Sequence, residues 1–309
     1  MDLKATTAGP AVRTSRAASV IGVASGIGAP DRRCGEGPPR LIAGGLLERL
    51  TARGADVVIQ AILRPHYLTL YRAISDLSIR LAREVALVLE SGRFPLVLGG
   101  DHSCAIGTWS GVASALARRG SLGLVWIDAH MDSHTRATSW SGMPHGMPLA
   151  ALLGYGEAKA VTAQVASTVT EGTLDPRHVS LVGIRSYEPA EAELLDRLGV
   201  RIFDQRQVDA RGIESVRDEA VAIARTATGG YGISLDLDAV DPQEAPGVGT
   251  AVAGGVPARP LTAALAACCG DESLAALEIV EYNPHRDRHG RTAVLVENLM
   301  AAVLTPTDD

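Results

Sequence analysis

The sequence predicts an α/β fold of three layers, in which helices cover both faces of a mostly parallel sheet of about eight strands. Short runs rich in Val, Ile and Leu alternate with longer segments of helical periodicity from residue 18 onward. These runs are apolar at almost every position, whereas a strand with one wet face would alternate apolar and polar residues. A chain of 309 residues with 46% hydrophobic residues can also bury a large core.

The alternation gives each element in order. Strands are expected over residues 19–23, 56–60, 95–98, 122–127, 179–183, 200–203, 232–237 and 274–280. Helices are expected over residues 39–52, 68–91, 104–119, 189–198, 213–227, 260–269 and 292–304. No Ser/Gly-rich or Pro-rich linker divides the sequence, so residues 18–309 are expected to form one domain behind a flexible tail, residues 1–17. The long loops 131–148 and 241–256 lack apolar periodicity, which is typical of loops that carry function.

Composition and charge argue against several classes of function. The formal net charge is −6, so the chain lacks the basic character of a protein that binds nucleic acid or an anionic membrane surface. Its sequence contains no run of about 18 apolar residues, as a membrane-spanning helix requires. The four cysteines include no CxxC pair, which disfavours a thiolate metal site or a disulfide framework. We therefore expect a cytoplasmic protein whose partner is a small, cationic molecule.

Carboxylates and imidazoles follow three of the predicted strands. They are Asp128, His130 and Asp132 after residues 122–127, Asp236 and Asp238 at the end of residues 232–237, and His102 after residues 95–98. Within the first two groups the residues alternate, so in extended backbone their side chains emerge on one side. Because the carboxyl ends of parallel strands form the ligand crevice of such sheets, the three groups are expected to meet.

Each group alone has an ordinary structural explanation. Asp and His after a strand often cap a helix or stabilise a turn, and capping is the better explanation of GGDHS, residues 99–103, taken alone. Together, however, four carboxylates and two imidazoles without a neighbouring Lys or Arg would destabilise a metal-free fold. These donors suit two ions, and oxygen ligands with a minority of imidazole favour Mn²⁺, with Co²⁺, Ni²⁺, Fe²⁺ or Zn²⁺ as substitutes. Such pairs of ions activate water for hydrolysis.

Five segments in order resemble the ureohydrolase family, and within it the arginases. They are GGDHS (99–103), DAHMD (128–132), SGMPHG (141–146), SLDLDAVDP (234–242) and EIVEYNP (278–284). The resemblance covers nearly the whole chain from about Ile21, and it implies that the predicted domain is a ureohydrolase catalytic domain. It assigns His102 and Asp132 to one Mn²⁺, His130 and Asp238 to the other, and Asp128 and Asp236 to both as bridges.

The resemblance also implies catalytic roles for His145 and Glu281, beside the metal ligand Asp132. His145 aligns with a histidine that acts as proton shuttle or general acid, a role that imidazole can fill near neutral pH. Glu281 aligns with the acid that holds the guanidinium of the substrate, which suits carboxylate–guanidinium geometry. The charge of two divalent ions cancels that of the four aspartates. A hydroxide and Glu281 then give the site a net negative charge. That charge attracts a guanidinium and disfavours a phosphoryl group.

Residues that would contact the far end of the substrate match the arginases only in part. Ser141 aligns with a serine that contacts the α-carboxylate, and Thr250 with a threonine near the site. Glu188 stands where an aspartate usually holds the α-amino group. His134 and Met143 stand where asparagines are common, and Met143 cannot donate a hydrogen bond to a carboxylate.

His134 and the neighbouring Arg136 can hold a carboxylate, or they can be ordinary solvated loop residues. We expect a substrate with a carboxylate tail, first L-arginine, which gives L-ornithine and urea. 4-Guanidinobutyrate and hydroxyarginine come next, followed by agmatine. Other hypotheses are a catalytically silent binding protein, which would have lost a metal ligand, and a dinuclear phosphoesterase or deacylase, which Glu281 disfavours. The resemblance further implies a homotrimer or homohexamer, for which the apolar stretch after Leu295 is either a candidate interface or intramolecular core.

Overall fold

The computed structural model describes residues 16–156 and 173–306. Its strands are β1 (Ala17–Val23), β2 (Asp56–Leu63), β3 (Phe94–Leu98), β4 (Leu122–Ile127), β5 (Val179–Ile184), β6 (Arg201–Asp204), β7 (Gly230–Asp236) and β8 (Leu274–Val280). They form one eight-stranded sheet in the order β2-β1-β3-β8-β7-β4-β5-β6. Every pairing between neighbouring strands is parallel.

Helices cover both faces of this sheet. They are α1 (Gly37–Ala43), α2 (Leu46–Ala52), α3 (Leu70–Glu90), α4 (Ala105–Leu116), α5 (Pro148–Leu152), α6 (Pro189–Leu198), α7 (Gln205–Arg211), α8 (Ile213–Ala224), α9 (Ala258–Ala266) and α10 (Arg291–Leu304). Side chains of α2, α8, α9 and α10 fill one core, and side chains of α3, α4 and α5 fill the other. Alternate residues of a strand enter different cores, for example Val20 and Ile21 in β1. The predicted three-layer fold class is therefore confirmed.

Three helical segments differ from the predicted elements, and one of them is the short helix α5 (Pro148–Leu152), which was not predicted. The helix expected over residues 39–52 is two helices, α1 and α2, because Gly45 between them has a φ of +83°. Glycine adopts this left-handed conformation without the steric cost that other residues meet. The short helix α7 was not predicted, although Asp204 precedes it and accepts a hydrogen bond from the backbone N–H of Gln207. Such an N-cap is a sufficient local signal for a helix of this length.

The N-terminal boundary also differs from the expected one. Residues 1–15 of the predicted tail lie outside the described residues, but Ala17 already begins β1. Arg16 donates a hydrogen bond of 2.8 Å to the carbonyl of Leu274. Its guanidinium carbon lies 4.8 Å from the centre of the Phe94 ring. The first strand therefore starts within the segment expected to be flexible.

The apolar residues of the C-terminal helix belong to the core of the chain itself. Val296, Leu299, Met300, Ala302, Val303 and Leu304 are all buried against the sheet and its neighbouring helices. The alternative that this stretch forms a subunit interface is therefore wrong for these side chains. In residues 16–156 and 173–306, no helix has both the length and the apolar composition needed to cross a membrane.

Candidate metal centre

The six predicted metal ligands meet beyond the carboxyl ends of three strands at the middle of the sheet. His102 follows β3, while Asp128, His130 and Asp132 follow β4, and Asp236 and Asp238 lie at the end of β7. The strand between β3 and β7 is β8, and Glu281 follows it directly. Parallel pairing brings all these chain segments to one edge of the sheet, as the sequence predicted.

Two groups of three ligands are close enough to hold one ion each. The first contains His102, Asp128 and Asp236, and the second contains Asp128, His130 and Asp238. In each group the candidate ligand atoms lie within 4.8 Å of one another. Asp128 belongs to both groups, which is the position expected of a bridging carboxylate. Asp132 lies beside the first group, with Oδ2 2.9 Å from Nδ1 of His102.

The ring of His102 presents a nitrogen that is suited to a cation. Its Nδ1 lies 3.2 Å from an oxygen of Asp128, 2.9 Å from one of Asp132 and 3.3 Å from one of Asp236. The nitrogen is buried, yet it has no hydrogen-bond partner of acceptable geometry within the described chain. An imidazole nitrogen that faces three carboxylates in this way fits a divalent cation between them.

Burial and mutual repulsion perturb the charges of this cluster. Burial raises the pKa of Asp238 to about 6 and that of Asp132 to about 7, and the charge of Asp128 adds to both shifts. Burial also acts to raise the pKa of Asp128, but its hydrogen bonds with His102 and His130 outweigh burial and lower it. The pKa of His130 rises to about 12, because the nearby carboxylates outweigh the opposing effect of burial. The buried carboxylates of this cluster therefore favour positive charge beside them.

Hydrogen bonds from the backbone and from a tryptophan fix the carboxylates. The backbone N–H of Asp238 donates to Oδ1 of Asp236 at 2.8 Å, and that of Ala129 donates to Oδ1 of Asp238 at 3.2 Å. Nε1 of Trp126 donates to Oδ2 of Asp128 at 3.0 Å. These contacts orient the ligands from outside the cluster, as partners of metal ligands commonly do.

Glu281 is a buried carboxylate with one oxygen available. Its Oε1 accepts a hydrogen bond of 3.0 Å from the backbone N–H of His102 and lies 3.3 Å from Nδ1 of His145. Its Oε2 is buried and has no hydrogen-bond partner among the residues described. Burial acts to lower the pKa of His145, but Glu281 outweighs burial and raises this pKa to about 9. Glu281 and His145 therefore place a hydrogen-bond acceptor and a protonated donor side by side.

A cavity of about 260 Å³ connects the ligands with the predicted specificity residues. Its walls include His130, Asp132, Asp236, Asp238, His145 and Glu281, and further out His134, Ser141, Glu188 and Thr250. The long loops 131–148 and 241–256 both contribute to these walls. The cavity is also lined by Ser186, Tyr187 and Glu191, which sequence reasoning did not single out.

His134 lies in an acidic corner of this cavity. Its Nε2 is 3.0 Å from Oε2 of Glu188 and 3.3 Å from Oε2 of Glu191, and its Nδ1 is 3.1 Å from Oγ1 of Thr138. Glu191 is itself buried and also accepts a hydrogen bond of 3.1 Å from the backbone N–H of Ser133. The sequence could have identified Glu191, because it stands three residues after Glu188, the N-cap residue of α6. An acid at this spacing is typical of a capping box.

Arg136 does not reach the cavity. Its guanidinium carbon lies 5.1 Å from the centre of the Tyr71 ring, on α3, and the residue is exposed. This cation–π contact holds the positive charge away from the site. The expectation that Arg136 holds the tail of the substrate therefore has no support in its position. Met143 does not line the cavity either, and its backbone N–H donates to Oγ of Ser141 at 3.2 Å.

Comparisons with known proteins agree with this geometry. The sequence model of the "Arginase family" matches residues 16–305. The arginase of Brevibacillus brevis is 37% identical over 298 residues, which cover 92% of this chain and 96% of that protein. The arginase of Bacillus caldovelox is 38% identical over 296 residues, which cover 92% and 97% respectively.

Solved structures show the same similarity in three dimensions. The crystal structure of arginase from Bacillus subtilis superposes with a TM-score of 0.85 at 33% sequence identity, covering 94% of this chain and 99% of that chain. The native structure of Bacillus caldovelox arginase gives a TM-score of 0.84 at 35% identity. The chain therefore belongs to the arginase family and is an amidinohydrolase of that type.

Proposed function

We propose that the protein uses two Mn²⁺ ions to hydrolyse L-arginine to L-ornithine and urea. One observation carries this proposal: the cavity is lined by members of both ligand groups that share Asp128 and also by Glu281, whose Oε2 is buried without a partner among the described residues. The two ligand groups would hold the ions, and Glu281 would hold a guanidinium. Relatives that match most of the chain are named arginases, which supports the choice of substrate.

The donor set fits manganese better than softer metals. Four carboxylates and two imidazoles, without a thiolate, favour Mn²⁺, and Co²⁺, Ni²⁺, Fe²⁺ or Zn²⁺ remain possible substitutes. The residues that would hold the pair are His102, Asp128, His130, Asp132, Asp236 and Asp238. When bound, two divalent ions lower the pKa of a shared water and supply hydroxide near neutral pH.

Residues of the chain bind the guanidinium and move the proton. Oε2 of Glu281 is a buried acceptor without a partner, so it can accept a charge-assisted hydrogen bond from the guanidinium of the substrate. His145, 3.3 Å from Oε1 of the same carboxylate, lies where it can protonate the departing amine. The position of Glu281 therefore selects the substrate and keeps His145 charged for its role.

The outer walls of the cavity suit a tail that carries two charges. Glu188 and Glu191 can accept hydrogen bonds from an α-ammonium group, and Ser141 can donate to a carboxylate. L-Arginine has both groups, so it ranks first. 4-Guanidinobutyrate and hydroxyarginine follow, and agmatine, which lacks the carboxylate, ranks below them.

One assay tests the substrate and the metal together. Protein loaded with Mn²⁺ is assayed for urea release from L-arginine, 4-guanidinobutyrate and agmatine, and its metal content is measured. We expect close to two ions per chain and the highest kcat/KM for L-arginine. Faster hydrolysis of agmatine contradicts the proposed substrate, whereas one ion or none in folded protein contradicts the dinuclear site.

We also propose a cytoplasmic homotrimer or homohexamer. This part rests on resemblance to the family, because the apolar C-terminal side chains are occupied within the chain. Sedimentation equilibrium at micromolar concentration is expected to show three or six chains. A stable monomer contradicts this part of the proposal and leaves the activity untouched.

A further inference from the structure

A second carboxylate lies behind the metal centre and has no role in the reaction proposed above. Glu278, on β8, is fully buried. Its Oε1 accepts a hydrogen bond of 2.5 Å from Oγ1 of Thr108 and lies 3.5 Å from Sγ of Cys104. Its Oε2 accepts from Nε1 of Trp109 at 3.0 Å and from Oγ of Ser234 at 2.8 Å. Every one of these partners acts as a donor, which is the environment of a carboxylate and not of an amide.

Ser234 connects this carboxylate to His102. Its Oγ lies 3.0 Å from Nε2 of His102, which is the ring nitrogen opposite the one that faces the aspartates. A serine hydroxyl has one hydrogen, and here it is donated to Glu278. The oxygen of Ser234 must therefore accept the hydrogen bond from Nε2–H of His102. Since Nε2 carries a hydrogen, Nδ1 of the neutral ring presents its lone pair to the cluster.

The sheet holds this connection in register. Ser234 pairs with Glu278 across β7 and β8, and Trp126 pairs with Ser234 across β4 and β7. The Trp126 ring stacks on His102 with centroids 4.2 Å apart and planes inclined by 11°. The ring of His102 is thus fixed in its plane by one neighbour and at its Nε2 edge by another.

We propose that Glu278 and Ser234 are positioning residues that select the metal-binding tautomer and orientation of His102, an inference that rests on the proposed two-metal site. Neither residue touches the substrate or an ion. They act through one ligand of the first group only, because His130 of the second group has no contact with them. Their loss should therefore lower the affinity for one of the two ions and leave the affinity for the other unchanged.

The test uses three single variants of the full-length protein loaded with Mn²⁺, and the double variant of Ser234→Ala with Glu278→Gln. Ser234→Ala and Glu278→Gln break the connection to His102, whereas Thr108→Val removes a donor to the same carboxylate but leaves the connection intact. Equilibrium dialysis against falling free Mn²⁺ gives the affinity of each ion, and the EPR signal of the coupled pair reports when one is lost.

We expect Ser234→Ala and Glu278→Gln each to lower the affinity for one ion by roughly 10- to 100-fold, which is the usual effect of losing a hydrogen-bond partner of a metal ligand. The affinity for the other ion should not change. The double variant should be no weaker than the single ones, because the two residues act in series. Thr108→Val should keep both affinities near those of the wild type. Near-UV circular dichroism checks that each variant is folded, and Ser234→Ala decides alone if Glu278→Gln does not fold.

Three results would overturn the inference. They are wild-type affinity for both ions in folded Ser234→Ala, equal weakening of both ions, and a loss in Thr108→Val as large as in Ser234→Ala. Failure of the proposed function is distinguishable, because the wild-type protein itself would then bind fewer than two ions.

Discussion

Two residues of the site adopt backbone conformations that side chains other than glycine rarely take. Asp132 has a φ of 46° and Glu281 a φ of 67°. Each conformation costs of order 1–3 kcal/mol, and such strain concentrates at functional sites. In Glu281 the sharp turn after β8 directs the carboxylate back toward the N-terminal end of the segment that carries His102. A residue in ordinary extended backbone would continue past the site.

The pair of Glu281 and His145 gives a prediction for the pH dependence. The carboxylate raises the pKa of His145 to about 9, so the imidazole is protonated below that pH and can donate a proton. The value of kcat/KM should therefore fall as the pH rises through about 9. In Glu281→Gln this fall should move to lower pH, and kcat/KM at its maximum should drop roughly 10- to 100-fold, since a charge-assisted contact is worth about 1.5–3 kcal/mol.

Steady-state kinetics over a range of pH measures both effects. The control is the metal content of Glu281→Gln, which should stay near that of the wild type because Glu281 is in neither ligand group. An unchanged position of the alkaline fall would show that His145 is not the proton donor.

His134 gives a prediction for substrate choice. Its Nε2 lies 3.0 Å from Oε2 of Glu188 and 3.3 Å from Oε2 of Glu191, so the ring stands between the two acids and the cavity. His134→Ala should lower kcat/KM for 4-guanidinobutyrate relative to agmatine by roughly tenfold or more, because the two acids lose the imidazole partner and then face the carboxylate tail directly. Arg136→Ala is the matched control, since Arg136 lies over Tyr71, and it should leave this ratio unchanged. Equal losses for both substrates in His134→Ala would indicate a structural role only.

Sequence reasoning found the residues of the site that carry a local pattern. Alternating Asp and His after apolar strands identified five ligands, the position of His102 after a third strand added the sixth, and the resemblance to arginases added His145 and Glu281. Ser234 and Glu278 have no such pattern, because their polar side chains stand inside strands that read as apolar runs. The hydrogen bond between Thr108 and Glu278 spans 170 positions of the chain, and only the folded sheet brings these residues together.

At the scale of the element, apolar runs located every strand, because the central strands are buried on both faces and the edge strand β2 is also mostly apolar. Helix boundaries were less certain. The predicted helix over residues 39–52 ignored the pair of glycines at its middle, and one of them, Gly45, ends the periodicity with its positive φ. The backbone conformation of a single glycine therefore decided between one helix and two.

Gly45 also gives a prediction for stability. A left-handed conformation costs most residues roughly 1–2 kcal/mol, whereas Asn tolerates it. Gly45→Ala should lower the free energy of unfolding by about that amount, measured from the midpoint in urea at constant slope. Gly45→Asn is the control and should lose distinctly less. The nearest atom to an added Cβ is the flexible end of Arg49 at 3.3 Å, so backbone strain and not crowding is the expected cause. Equal stability of the alanine variant and the wild type would contradict this account.

At the scale of the whole molecule, the sequence predicted the fold class but not the order of the strands. The order β3-β8-β7-β4 at the centre decides that Glu281 stands between the ligand groups. Nothing local in the sequence specifies which strands become neighbours, because every strand is similarly apolar. The pairing follows from how the helices of both layers pack, which depends on the whole chain.

The metal centre should also stabilise the entire fold. A ligand that binds only the native state adds about 2.7 kcal/mol per site at a free concentration of 100 times its Kd. Thermal unfolding with and without saturating Mn²⁺ should therefore show a higher Tm with the metal, and a chelator should reverse the change. The increment should vanish in Asp128→Asn, which touches both ligand groups, and should be partly retained in His130→Asn. An equal increment in Asp128→Asn and the wild type would contradict the shared role of Asp128.

The parallel sheet also determines when the centre can exist during synthesis of the protein. His102 and the carboxylate of Glu281 that it contacts are 179 positions apart, and β8 lies between β3 and β7. A ribosome adds about 5–20 residues each second, so many seconds separate the first ligand from the last strand. Until β8 is inserted, β3 and β7 have no neighbour in common, and the ligands that follow them stay apart. The group of His102, Asp128 and Asp236 is thus completed only once β8 is in place, whereas the group of Asp128, His130 and Asp238 needs only the neighbouring strands β4 and β7.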